Sequence, residues 1–157
     1  MPTNRQTAPV TAEMLIRKPA KDVFNAFIDP EQTRNFWFTK GSGMLEKGEV
    51  IIWEWEMYGI AVKVSVQEII AEKLIVIEWG EPATTVEFNF EQTGDQATYV
   101  TIANFGFMAT GEQLIKVVND NTGGFTTVLD GLKAYMEHGI NLNLIADKFP
   151  KDVTAHK

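Results

Sequence analysis

The last large segment of the chain restricts the fold most, because it predicts one long amphipathic helix between Thr110 and Gly139. Apolar and amphipathic residues recur along it at the 3.6-residue spacing of a single helix face. Thr110 and Gln113 have the spacing of a capping box, and Gly139 is a typical helix terminator. The stripe comprises Leu114, Val117, Val118, Asn121, Phe125, Val128, Leu129, Leu132, Tyr135 and Met136. A helix of this length needs an extended apolar surface to pack against.

Two adjacent glycines, Gly123 and Gly124, interrupt the middle of this helix. Each costs about 1 kcal/mol of helix propensity relative to alanine. The pair indicates that the helix either bends here or passes close to the sheet. We expect close packing, so that a methyl group added at Gly124 would destabilise the protein.

The preceding part of the chain is mostly β in pattern. Alternating apolar residues predict strands at 10–17, 51–57, 60–70, 74–79, 84–91 and 97–104. Two short helices are predicted after the first strand, at 19–28 and 30–36, each opened by a proline. Short connections between the later strands indicate an antiparallel meander. The predicted fold is therefore α+β, with a curved antiparallel sheet of about six or seven strands wrapped around the long C-terminal helix.

Length and composition limit the classes of function. The 157 residues fit one domain, with a core at 10–139 and an appendix at 140–157 that ends in a polar tail. A net charge of -7 makes nucleic acid and anionic membranes unfavourable partners. Residues 1–9 lack the apolar core of a signal peptide, and no apolar run is long enough to span a bilayer. We therefore expect a cytoplasmic protein without membrane insertion.

Several segments resemble one family in order along the chain: residues 18–30, 36–38, 54–59, 75–79, 105–107 and 124–133. They are similar to the START-related helix-grip superfamily, in the branch named for the activator of the ninety-kilodalton heat-shock chaperone ATPase. The likeness runs from about Val10 to Gly139.

This resemblance implies a cavity between the sheet and the long helix that receives a hydrophobic or aromatic small molecule, such as a lipid, sterol, flavonoid or polyketide-like compound. The superfamily contains lipid carriers, hormone receptors, aromatases and cyclases, so the fold alone does not determine the function. The alternatives are a cyclase- or aromatase-type enzyme and a chaperone-binding module. A chaperone and a second copy of the chain are the alternative partners.

Aromatic residues are the leading candidates for the cavity wall, and ordinary core packing is the alternative for each of them. Four tryptophans are bulky, and each indole N–H needs a partner, which favours a cavity of mixed polarity. Asn104 could offer a hydrogen bond at the cavity edge. The predicted lining is Trp37, Trp53, Trp55, Met57, Trp79, Phe88, Asn104, Phe107, Phe125 and Leu129.

Four polar residues are candidate anchors for a ligand: Glu56, Tyr58, Glu78 and Tyr135. Strict strand alternation turns Glu56 and Glu78 away from the face that carries Trp53, so solvated carboxylates are the simpler interpretation. A β-bulge would reverse that orientation. In the cyclase alternative, Glu56, Glu78 or Tyr58 would transfer protons.

No catalytic constellation is visible in the sequence. There is no cysteine, and the two histidines, His138 and His156, are far from the tryptophans in sequence. His138 is placed to interact with the end of the long helix, and His156 lies in the polar tail. We therefore predict no catalytic residues, no metal and no cofactor, and we expect a binding protein rather than an enzyme.

Overall fold

The computed structural model describes residues 8–151, so most of the N-terminal segment and the part of the tail with His156 lie outside the described residues. The elements in chain order are β1 (Val10–Ile16), α1 (Ala20–Ile28), α2 (Pro30–Thr33), β2 (Lys40–Gly41), β3 (Val50–Trp55), β4 (Ile60–Ile70), β5 (Leu74–Trp79), β6 (Thr84–Gln92), β7 (Thr98–Phe105), α3 (Gly111–His138) and α4 (Leu144–Lys148). A short 3-10 helix at Glu56–Tyr58 separates β3 from β4.

The seven strands between residues 8 and 151 form one antiparallel sheet in the order β1-β7-β6-β5-β4-β3-β2. The strands from β2 to β7 are neighbours in sequence order, while β1 pairs with β7 and forms the opposite edge. Helix α3 lies across the sheet, and α1 and α2 follow the first strand. The predicted α+β helix-grip architecture is confirmed.

The structure differs from the prediction at several element boundaries. The two-residue strand β2 was not predicted, and α2 ends at Thr33. The strand predicted to reach Met57 ends at Trp55, because the chain turns into the 3-10 helix and then adopts a left-handed conformation at Gly59, with φ 64°. Thr110 is the N-cap of α3, but its side chain makes no capping hydrogen bond, so the predicted capping box is not formed.

The expected close packing at Gly124 is wrong. Helix α3 continues through both central glycines, and a Cβ atom built on Gly124 meets nothing within 4 Å. The close approach occurs two turns later, where a Cβ on Gly131 would lie 3.2 Å from Cβ and 3.3 Å from the backbone oxygen of Phe36. Gly131, rather than Gly124, is therefore the position at which close packing favours a residue without a side chain.

Trp37 lies at the centre of the aromatic core. Its ring centroid is 4.9 Å from that of Trp53, 5.7 Å from Trp79 and 5.9 Å from both Phe88 and Phe125. These neighbours belong to β3, β5, β6 and α3, respectively. One side chain thus joins the sheet to the long helix through tilted and edge-to-face contacts, which aromatic rings prefer.

Side chains of α3 also bind the outer edge of β1. Lys133 Nζ donates to the backbone oxygen of Leu15 at 2.8 Å, and the backbone N–H of Arg17 donates to Glu137 Oε2 at 2.8 Å. Lys133 and Glu137 are themselves joined by an ion pair of 2.6 Å. Burial raises the pKa of Glu137, but the hydrogen bonds from Lys133 and Arg17 together with their charges outweigh it, so the pKa is lowered below its usual value.

We expect Gly131→Ala and Gly124→Ala to change stability in opposite directions. At Gly131 the new methyl group meets buried Phe36, and overpacking of about 1–3 kcal/mol outweighs the gain in helix propensity. At Gly124 the methyl group is free of contacts, so stability rises by up to about 1 kcal/mol. Urea denaturation measures the free energy of unfolding of both variants. A change in the same direction for the two variants would contradict the packing described.

Replacing Glu137 by glutamine should destabilise the protein at neutral pH by about 1 kcal/mol, because charge-assisted hydrogen bonds are stronger than neutral ones. A carboxyl whose pKa is lowered on folding stabilises the protein above the unfolded-state pKa, and this contribution is lost as pH falls through the folded-state pKa. The difference in the free energy of unfolding between wild type and variant should therefore become smaller below about pH 4. Denaturation curves at several pH values provide the measurement.

The matched control is Glu31→Gln, since Glu31 is exposed and lies 3.9 Å from Arg34 on the surface. We expect this change to have little effect at any pH. A Glu137→Gln deficit that persists unchanged in acid would show that the ionised carboxylate is not responsible.

Candidate functional site

A cavity of about 580 Å³ lies between the middle of α3, the strands β3 to β5 and helix α4. Its wall is mainly apolar and contains the side chains of six aromatic residues besides a few polar groups. The lining comprises Trp37, Trp55, Tyr58, Ile60, Val62, Trp79, Asp120, Asn121, Gly124, Phe125, Val128, Ile145 and Phe149. The open space found beside Gly124 is part of this cavity.

The aromatic wall is continuous with the aromatic core. Trp37 is nearly buried and forms the base, where its ring contacts Trp79 and Phe125. The rings of Trp79 and Phe125 are tilted by 35° with centroids 5.8 Å apart. Trp55 is half-buried at the end of β3. Part of the aromatic ring surface in the cavity wall is therefore not covered by other side chains of the protein.

The structure brings only part of the predicted aromatic set to the cavity wall. Trp37, Trp55, Trp79 and Phe125 line it. The others pack elsewhere: Trp53, Phe88 and Leu129 are closed core residues at 2%, 1% and 0% exposure, Phe107 is half-buried against the core, and Met57 lines a smaller cleft beside Phe36 and Gly131.

Of the four predicted polar anchors, Tyr58 alone lines the cavity. Its hydroxyl donates to the backbone oxygen of Phe149 at 2.5 Å and lies 3.4 Å from that of Ile145. Burial raises the pKa of Tyr58. The side chains of Glu56 and Glu78 are exposed and lie outside the wall.

Tyr135 lies on the same stripe of α3 as Val128, but two turns later and outside the cavity wall. Its ring is 5.9 Å from that of Phe36, and its hydroxyl is 3.5 Å from Oε1 of Gln32. The β-bulge that could have reoriented a carboxylate does occur, but it lies in β4 between Val66 and Glu68. It therefore leaves the orientation of Glu56 and Glu78 unchanged.

The polar end of the cavity was not predicted. Asn104 is fully buried beneath it rather than at its edge, and its Oδ1 accepts a hydrogen bond of 3.0 Å from Asn121 Nδ2. Asn121 and the exposed Asp120 line the wall. The sequence does contain a signal for Asn121, because it is the one amide in the apolar stripe of α3.

Between residues 8 and 151, no three His, Cys, Asp or Glu side chains are grouped so that they could hold a metal ion. His138 is exposed at the last residue of α3. None of the helices described combines the length and hydropathy needed to cross a membrane.

Comparison with known proteins gives a consistent picture. Residues 17–137 match the model of the family described as "Activator of Hsp90 ATPase homolog 1-like protein". No curated protein gives a significant match.

Among solved structures, protein SSP2350 from Staphylococcus saprophyticus is similar over 85% of this chain and 94% of its own, with 29% identity and a TM-score of 0.76. The Aha1 dimer from Colwellia psychrerythraea is similar over 83% of this chain and 96% of its own, with 18% identity and a TM-score of 0.69. DynU16, from the dynemicin biosynthetic locus, is similar over 84% of this chain, with 17% identity and a TM-score of 0.75. The match covers 48% of the DynU16 chain.

Replacing Tyr58 by phenylalanine should loosen α4, because its hydroxyl donates to the backbone oxygen of Phe149, the C-cap of this helix, and so connects α4 to the 3-10 helix. We expect faster hydrogen exchange at residues 144–149, with exchange in β6 and β7 unchanged. Tyr99→Phe is the matched control, since Tyr99 is exposed on β7. Unchanged exchange at 144–149 would show that the hydroxyl does not hold α4.

Proposed function

The chain belongs to the Activator of Hsp90 ATPase homolog 1-like family, and we propose that it binds a hydrophobic or aromatic small molecule in the cavity between α3 and the sheet. The observation that carries the proposal is the aromatic wall, in which Trp55, Trp79 and Phe149 leave ring surface facing open space. Apolar surface of this kind gains free energy when a ligand covers it.

The size and chemistry of the cavity support this function. Its volume of about 580 Å³ falls within the range of about 300–1,000 Å³ typical of small-molecule pockets. The polar side chains of the wall are those of Tyr58, Asp120 and Asn121, while the remaining wall is aromatic or aliphatic apart from Gly124. A ligand with a large apolar body and few polar atoms matches such a wall best.

The arrangement gives less support to the cyclase alternative. A general acid or base must reach the reacting group within hydrogen-bond distance. Glu56 and Glu78 are exposed outside the cavity, and the Tyr58 proton is donated to a backbone oxygen. Asp120 is the carboxylate in the wall, and it lies 3.1 Å from Lys116 on the surface of α3. We therefore propose binding without proton transfer.

The test is a titration with cholesterol, palmitate, naringenin and pyrene, followed by the indole N–H resonances in heteronuclear NMR spectra. We expect at least one compound to shift the Trp55 and Trp79 signals more than the signal of Trp53, which is buried behind them. The proposal loses its support if no compound shifts these resonances.

A variant that fills the cavity should abolish this binding. Gly124→Phe places a ring where a Cβ meets no neighbour, so the new side chain can occupy the cavity without displacing the core. Thr126→Phe is the matched control, because Thr126 is exposed on the opposite side of the same helix. We expect the first variant to bind at least about tenfold more weakly than the second, measured by the same titration.

A further inference from the structure

A buried amide in β7 organises the polar end of the cavity. Asn104 is 0% exposed, and a buried amide is costly unless its hydrogen bonds are made. Its Nδ2 donates to Thr84 Oγ1 at 3.1 Å and to the backbone oxygen of Thr85 at 2.8 Å. Because a backbone carbonyl oxygen can only accept, the nitrogen of Asn104 must face β6, and its Oδ1 is therefore turned toward α3.

The orientation of Asn121 follows from that of Asn104. Its Nδ2 donates to Asn104 Oδ1 at 3.0 Å, and rotating the amide by half a turn would place two oxygens against each other. Within residues 8–151, the Asn121 side chain makes no other hydrogen bond. Asn121 thus retains a free acceptor, Oδ1, and one free N–H while it lines the cavity.

The aromatic wall lies beside this acceptor. Phe125 follows Asn121 by four residues, which places both on the same face of α3. The Phe125 ring is in contact with Trp79 and Trp37. A flat ligand covering these rings would therefore have its edge near Asn121.

The charges of the cavity restrict the ligand further. Among the described residues that line it there is no Lys, Arg or His, and Asp120 is the charged one. Lys148 Nζ lies 5.6 Å from the centroid of the Phe149 ring, so a cation stands on the α4 side of the cavity. A carboxylate or phosphate group bound beside Asn121 would instead meet the neighbouring Asp120 carboxylate and lose hydration. A neutral group with a proton to donate satisfies the free oxygen of Asn121 at a lower desolvation cost.

We infer that Asn121 is the specificity-determining residue of the cavity, where its Oδ1 accepts a hydrogen bond from the hydroxyl of a neutral aromatic ligand. Asn104 is the positioning residue that fixes this acceptor. The inference rests on the proposed function, because it requires an aromatic ligand in the cavity. It predicts preference for phenols over unsubstituted aromatic compounds and over aromatic carboxylates.

Four probes that share one ring system test this inference: pyrene, 1-hydroxypyrene, 1-methoxypyrene and 1-pyrenecarboxylate. The ether keeps the oxygen but removes the proton. Energy transfer from the tryptophans to the pyrene ring measures Kd at pH 7, where the phenol is neutral. For the wild-type chain we expect 1-hydroxypyrene to bind about fivefold more tightly than pyrene and 1-methoxypyrene, the effect of one hydrogen bond. The carboxylate should bind most weakly.

Asn121→Leu should remove the preference, so that 1-hydroxypyrene and pyrene bind equally while the affinity for pyrene is retained or increased. Asn119→Leu is the matched control, since Asn119 is exposed two residues earlier on α3 and lies outside the cavity wall. It should keep the wild-type preference. If Asn121→Leu does not fold, the comparison of 1-hydroxypyrene with 1-methoxypyrene on the wild-type chain still tests the acceptor.

The outcomes separate the two claims. If none of the four probes binds the wild-type chain or displaces a compound from the earlier titration, the proposed function fails. If pyrene binds but the phenol has no advantage, or keeps its advantage in Asn121→Leu, the role of Asn121 is wrong and the cavity function stands.

Discussion

Helix α3 packs closely against the rest of the protein along only part of its length, and the cavity is the consequence. Around Gly131 the backbone of Phe36 lies so close that a Cβ atom would come within 3.3 Å of its carbonyl oxygen and force Phe36 to shift. Two turns earlier, at Gly124, the same face meets open space. Because a helix is stiff over this distance, its contact with Phe36 and the aromatic contacts of Trp37 together determine how far the helix stands from the sheet at the cavity.

This geometry explains which residues are buried. In α3 the buried residues lie between Phe125 and Leu132, while Leu114 and Val118 on the same stripe are only half-buried. The apolar stripe is therefore longer than the core it contacts. The cavity is lined by the next part of the helix, including Asn121, Gly124 and Phe125, and the Asn104–Asn121 hydrogen bond crosses from sheet to helix at its polar end.

The sequence predicted the fold well because the period of each segment reports its local geometry directly. The alternation in Ile60–Ile70 and the stripe of α3 correspond to the observed strand and helix. The cavity wall was harder to predict. The sequence pattern shows which side chains face the helix, but it does not show whether they are covered by other side chains or line a cavity. Trp53 and Trp79 lie on the same face of the sheet with ring centroids 6.2 Å apart, yet of the two only Trp79 lines the cavity. That difference depends on how α3 is positioned, which no local pattern encodes.

Intermolecular NOEs between pyrene and the methyl groups of the protein would test the central claim most directly. The account predicts NOEs to Val62, Val128 and Ile145, which surround the cavity. NOEs confined to exposed apolar residues such as Met108 and Ile115 would indicate adhesion to the surface. That result would contradict the assignment of the space between α3 and the sheet as a binding site.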